Sequence, residues 1–183
     1  MEQKTLIIGG TKGIGKAILE DLKSHECHII SRGHSDRQNH HAMDVLQDEL
    51  PEIEGLKNLV YCPGSITLKP FHRLTEEDFI SDYRVNVLGA VRVLQFYFRE
   101  LKKNKGSVVI FSTVAVRRGF TNHSVIASVK GALEGLTVPA GKNITFTDAS
   151  EPTVLDGTSL TTTTLNIDQL NIGYNNSSPA TLA

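Results

Sequence analysis

Apolar residues recur with two alternating periods over the first 137 positions. "TLIIGG" (5–10) is a short β-rich run ending in glycine. In "GIGKAILEDLKSH" (13–25), Ile14, Ala17, Ile18 and Leu22 fall on one helical stripe, which makes the pair one strand-turn-helix unit. "CHIISRG" (27–33), "LKNLVYCPGS" (56–65) and "GSVVIFSTVAV" (106–116) predict three more strands, each apolar on both faces as central parallel strands covered by helices should be. Between the last two runs "TEEDFISDYRVNVLGAVRVLQFYFRELKKN" (75–104) predicts a long helical tract. Thr75 and the acids after it open the tract and lysines close it, as the helix dipole favours. Such alternation predicts an α/β fold with a doubly wound, Rossmann-like parallel sheet.

The pattern changes at Thr137/Val138. Residues 138–183 hold one lysine, four acids and nine threonines, and Asn, Ser and Gly replace the helix formers. We divide the chain into a Rossmann-like domain, 1–137, and an atypical Thr/Asn-rich tail, 138–183. Pro139 and Gly141 are expected to end the last helix. "NITFTD", "TLNID" and "LNIGY" alternate as strands do, and "LDGT" offers a hairpin turn. The tail therefore reads either as completing the sheet, with "KNITFTD" beside the strand of Ser112, or as a small antiparallel set.

A chain of 183 residues, 39% hydrophobic, can bury a real core. It contains no apolar run of membrane-spanning length, and its start does not have the form of a signal peptide, so a cytoplasmic location and no membrane partner are expected. A net charge of -1 argues against a nucleic-acid partner. Cys27 and Cys62 fit no redox or metal spacing, and His34, His40 and His41 in a polar loop have no positioned carboxylate, so no metal site is expected.

The turn "IIGGTKGIG" holds Gly9, Gly13 and Gly15 at the spacing GxxxGxG, with Thr11, Lys12 and Ile14 between them. Glycines let the backbone turn tightly and approach a pyrophosphate, whose charge then faces the N–H groups and dipole of the next helix. No GK[ST] closes the loop, so it is not a Walker loop. Ser112 stands at the carboxyl end of a strand, where open α/β sheets build their sites.

This spacing resembles that of the short-chain dehydrogenase/reductase family, and the resemblance continues in order over residues 4–137. It implies hydride transfer between a nicotinamide cofactor and a small carbonyl or alcohol substrate. Arg32 ends the second strand where the family sorts its cofactors, and with Lys12 it implies NADP(H) rather than NAD(H), since two cations favour the 2′-phosphate. Asp44 matches the aspartate that holds the adenine edge. Pro63 and Gly64 match the end of the family's NNAG motif, and Asn86 matches the asparagine that holds a water of the proton relay. Ser112 is similar to the serine that bonds the substrate carbonyl oxygen. Lys130 in "HSVIASVKGALEGLT" is similar to the lysine that grips the nicotinamide ribose and lowers the pKa of a tyrosine four residues earlier. The resemblance also implies a homodimer or higher homo-oligomer through the tract carrying Asn86 and the helix carrying Lys130.

Two departures stand against it. The tyrosine position is Ile126, which can neither donate nor accept a proton; His123, nearly one helical turn earlier, is the candidate replacement. After its catalytic helix the family adds a parallel strand, a covering loop, a helix and a final strand, a pattern the tail does not repeat. Three readings follow: an NADP(H)-dependent oxidoreductase of reduced activity, an inactive NADP(H)-binding sensor or regulatory protein, or a rearranged or truncated member with an unrelated β-rich tail.

Overall fold

The computed structural model describes residues 3–22 and 25–136, together with the backbone of residues 146–147 and 162–166. Its elements are β1 (Gln3–Ile8), α1 (Gly13–Asp21), β2 (His25–Ser31), β3 (His40–Ala42), β4 (Leu56–Tyr61), α2 (Glu76–Tyr83), a π-helical turn (Arg84–Leu88), α3 (Gly89–Lys103), β5 (Ser107–Phe111), α4 (Ser124–Leu136), β6 (Phe146–Thr147) and β7 (Thr162–Asn166). Pro139, Gly141, "LDGT" and "LNIGY" lie outside the described residues.

The sheet order is β3-β2-β1-β4-β5-β7-β6. The first five strands are parallel, as the alternating periods predict. The strand following β1 in the chain lies on one side of it, and β4 lies on the other. The β1–β4 gap is therefore the point where the winding reverses and a crevice opens at the carboxyl ends. β7 runs antiparallel to β5, and β6 runs antiparallel to β7. The neighbour of β5 is thus Thr162–Asn166, not the 142–148 segment, and it runs opposite to the strand that the family resemblance implies.

Val108 and Ile110 of β5, with Leu6, Ile8 and Leu59, bury one sheet face against Val87, Val93 and Tyr97 of the long tract and Val125, Val129 and Leu133 of α4. Ile7, Ile29 and Val60 pack the other face on Leu19 of α1. The tract from Thr75 begins with a capping box, in which Thr75 and Asp78 each accept from the other's backbone N–H. Its middle widens into the π turn, a form frequent at functional sites.

Two details depart from the sequence pattern. His40 and His41 are not loop residues but form β3, a three-residue edge strand too short and polar to show a period. The strands are also not apolar on both faces, because Thr5, Asn58 and Ser107 place a polar row across β1, β4 and β5. Among the described residues no helix is long and apolar enough to cross a membrane. No group of three or more His, Cys, Asp or Glu among them could hold a metal ion.

Candidate functional site

β1 delivers the glycine loop to the crevice. Gly9 (φ 82) and Gly13 (φ 54) take backbone conformations that side chains disfavour. A Cβ at Gly15 would lie 2.5 Å from the Gly9 carbonyl oxygen, so the loop closes on the helix only because Gly15 has none. Gly9 also abuts the next loop: its own Cβ would stand 3.4 Å from Cys62 Cβ and 3.5 Å from Pro63 N. Thr11 and Ile14 are half-buried, whereas Lys12 is exposed and is the N-cap of α1. That cap lacks a side-chain hydrogen bond, and the first turn carries no acid. A cation at a helix N-terminus opposes the dipole, and an anion placed there would offset both.

Arg32 is exposed directly after β2, at the same carboxyl edge as Lys12. Asp44 follows β3 half-buried; its Oδ1 accepts from Leu46 N (2.9 Å), which holds the turn. These residues line the edge where the resemblance puts the adenosine half of the cofactor.

The other end of the crevice is built from the β4 loop, the π turn, β5 and α4. Asn86 is fully buried in the π turn, and its Nδ2 donates to Ser65 O (3.0 Å) and Asp82 O (2.9 Å). Its Oδ1 has no partner. A Cβ at Gly64 would meet that Oδ1 at 3.1 Å and Lys130 Nζ at 3.9 Å, so the bare backbone of Gly64 lies close beside both polar atoms. Lys130 Nζ donates to the Phe111 carbonyl (2.9 Å) at the end of β5. Burial pulls its pKa down to about 8, and the nearby Cys62 opposes that shift. Burial likewise pushes the Cys62 thiol up to about 12, against the Lys130 charge, so this cysteine is a packing group rather than a nucleophile.

One predicted site residue, Ser112, is engaged otherwise than the sequence expectation has it. Ser112 continues the β5 face of Val108 and Ile110, under α4, and its hydroxyl donates to Glu134, one turn beyond Lys130. It is therefore not the free donor to a substrate oxygen that the resemblance implies. The next residue, Thr113, is half-buried and caps the turn at Val114–Val116, accepting from Ala115 N (3.3 Å). The sequence pattern does not single out Thr113; its one signal is a second hydroxyl beside the first, whose face only strand phase decides. Ile126 is buried and offers no donor. His123, just before α4, bonds Thr121 O through Nδ1 (2.7 Å) and packs against Phe120, with ring centroids 5.4 Å apart. Since a carbonyl only accepts, Nδ1 carries the proton, and Nε2 is the atom left for exchange.

Tyr61 was also missed. Its hydroxyl donates to Val85 O (2.7 Å) in the π turn, and burial raises its pKa, with Asp44 adding to the shift. A Cβ at Gly89 would lie 2.2 Å from that hydroxyl. Tyr61 thus locks the widened turn that aims Asn86, a role that its own strand pattern cannot reveal.

The reversed strand order, the glycine cradle and the polar atoms at Gly64 define a Rossmann-like nucleotide-binding fold of the oxidoreductase type. Comparison with known proteins specifies it further: the chain belongs to the short chain dehydrogenase family, whose model matches residues 34–147. It is 29% identical to L-xylulose reductase from Bos taurus, over 84% of this chain and 72% of the relative. It is 27% identical to the 3-oxoacyl-[acyl-carrier-protein] reductase MabA of Mycobacterium avium, over 74% and 59%. A short chain dehydrogenase/reductase from Saccharomyces cerevisiae shares the fold with a TM-score of 0.68 at 21% identity, over 74% of this chain and 63% of that one. ElxO with NADP bound matches with a TM-score of 0.64 at 25% identity, over 74% and 65%. The chain thus spans just under two thirds of these solved chains.

Proposed function

We propose that the protein binds NADP(H) at the carboxyl edge of β1, β2 and β4 and interconverts a small carbonyl and alcohol slowly. The observation that carries this reading is the convergence at Gly64 of the orphaned Asn86 Oδ1 and Lys130 Nζ, beside the glycine cradle. The cradle and the orphaned acceptor fit a dinucleotide: Gly9, Thr11, Gly13, Ile14 and Gly15 would face its phosphates, Lys12 and Arg32 its 2′-phosphate, Asp44 and Pro63 its adenosine, and Lys130 its nicotinamide ribose. When bound, the nicotinamide gives or takes the hydride. NADP in the matching ElxO structure supports the choice of cofactor, and relatives named for L-xylulose support a small polar carbonyl.

Around that exchange the chain's own groups orient and move protons. Lys130, held by Phe111 O, keeps its remaining N–H groups for ribose hydroxyls. Asn86 Oδ1 accepts from a water in the relay. Thr113, rather than Ser112, polarises the substrate oxygen, and His123 Nε2 supplies the proton that Ile126 cannot. A homodimer or higher homo-oligomer through the α2–α3 tract and α4 belongs to the same reading; Leu88, Phe96 and Phe98 are half-exposed on that tract.

Fluorescence titration with NADPH and NADH, followed by a carbonyl panel assayed with the parent and with His123→Ala, tests the proposal. Preference for NADPH that falls in Lys12→Ala and Arg32→Ala, with weak turnover lost in His123→Ala, is expected. Cofactor binding without any turnover would favour a second reading, a non-catalytic NADP(H) sensor or regulatory subunit. The burial of Ile126 and the engagement of Ser112 by Glu134 are the observations on its side.

A further inference from the structure

The polar row noted above is a directed chain of hydrogen bonds near the opposite, amino-terminal end of the strands. Ser107 Oγ donates to Asn58 Oδ1 (3.0 Å), and Asn58 Nδ2 donates to Thr5 Oγ1 (3.2 Å). Thr5 Oγ1 bonds His25 Nδ1 (2.8 Å), which closes the chain across β5, β4, β1 and β2. Thr5 is 1% exposed. A free hydroxyl proton there would be buried without an acceptor, so the threonine donates to Nδ1 and the ring proton sits on Nε2. Every member then donates in one direction. Ser107 has spent its only proton, and among the described residues nothing donates to it, so its lone pairs form the open, accepting end.

These residues floor a cavity of about 270 Å3 whose other walls include Ile18 of α1 and Leu22 just after it, with Val60 and Val109. A dry cavity of roughly 150 Å3 already admits one aromatic ring, and an apolar pocket with a few convergent polar groups is the usual form of a small-molecule site. Thr5, Asn58 and Ser107 lie three to four residues before their strands' carboxyl ends, roughly 10 Å from the cofactor edge at the rise of a strand. The cavity is therefore separate from the cradle.

We infer that this cavity is a second ligand site, for a small neutral molecule with an apolar or aromatic body and one O–H group that donates to Ser107 Oγ. Donation at Ser107 polarises each bond down to His25, so the row rewards a donor and not a shape-matched ether. The walls disfavour an ionic ligand, because among the described residues no Asp, Glu, Lys or Arg lines the cavity to pair with it.

The experiment uses the full chain and 19F NMR titrations with 4-fluorophenol and 4-fluoroanisole, with NADPH titration followed in parallel. The phenol is expected to bind about tenfold more tightly than the ether, the worth of one hydrogen bond at a buried acceptor. Ser107→Ala should remove most of that preference, and Val109→Trp, which fills the cavity, should abolish phenol binding while NADPH binding persists. Should Val109→Trp fail to fold by circular dichroism, the Ser107→Ala comparison decides alone. Equal affinities, no binding of either probe, an unaltered preference in Ser107→Ala, or competition between phenol and NADPH would each overturn the inference.

Discussion

At the β1–β4 end of the carboxyl edge the molecule is shaped by side chains withheld, and at the β5–α4 end by the side chains present. Gly9, Gly13 and Gly15 work because they carry no Cβ: Gly9 and Gly13 take positive φ, Gly15 packs on the Gly9 carbonyl, and Cys62 and Pro63 stand against Gly9. Gly64 belongs to the same logic, since its bareness lets the backbone pack close beside Asn86 and Lys130. Across the crevice the chemistry rests on whether Ile126, Ser112 and His123 offer a proton or an oxygen, and there two family-like positions have been diverted. The difference teaches that nucleotide binding and turnover are separable in this fold. A backbone cradle survives almost any change except the addition of bulk, whereas a proton donor is lost with one side chain.

The largest test of that contrast is Ile126→Tyr. A tyrosine one turn before Lys130 restores a general acid, and kcat on a carbonyl panel should rise by about two to four orders of magnitude with NADPH affinity unchanged. A flat response would show that the diversion of Ser112 has disabled the catalytic end by itself.

Lys130 gives the next largest effect. Burial holds its folded pKa near 8, against 10.5 for the free side chain. Between those values the unfolded chain binds more protons than the folded one, so stability rises as pH climbs from about 8 to 10.5, by about 3 kcal/mol at most. Below pH 8 the buried ammonium is a constant cost. Urea titrations across this window should show the rise in the parent and not in Lys130→Met.

On the cradle side, Gly15→Ala should cost about 1–3 kcal/mol of stability, because backbone and not a flexible side chain meets the new Cβ. NADPH fluorescence should show binding weakened along with it, and Gly13→Ala, where nothing lies within 4 Å, should suffer mainly from its positive φ. The smallest effect is expected from Tyr61→Phe, which leaves Val85 O without its donor. About 1 kcal/mol of stability should be lost, read by denaturation, with a small fall in kcat as the π turn that carries Asn86 loosens.

Legibility followed locality. The glycine loop, the Thr75 cap and the strands that bury apolar runs were readable because period, turn chemistry and capping act over a few neighbouring residues. Asn86 was readable as an amide out of place in an apolar stretch. Ser112 against Thr113 was not, because two adjacent hydroxyls differ only in which strand face they occupy. Tyr61 was not, because its meaning lies 24 residues away at Val85.

Sequence by itself determined the winding of strand and helix, the glycine spacing that admits a nucleotide, and the loss of a donor at Ile126. Tertiary structure alone decided that Gly64 lies close beside Asn86 and Lys130, that Ser112 turns to Glu134, and that Thr5, Asn58 and Ser107 align into one row. The physical reason is register. Apolar periodicity fixes which residues are buried, but only the packing of distant strands and helices fixes which buried polar atoms meet.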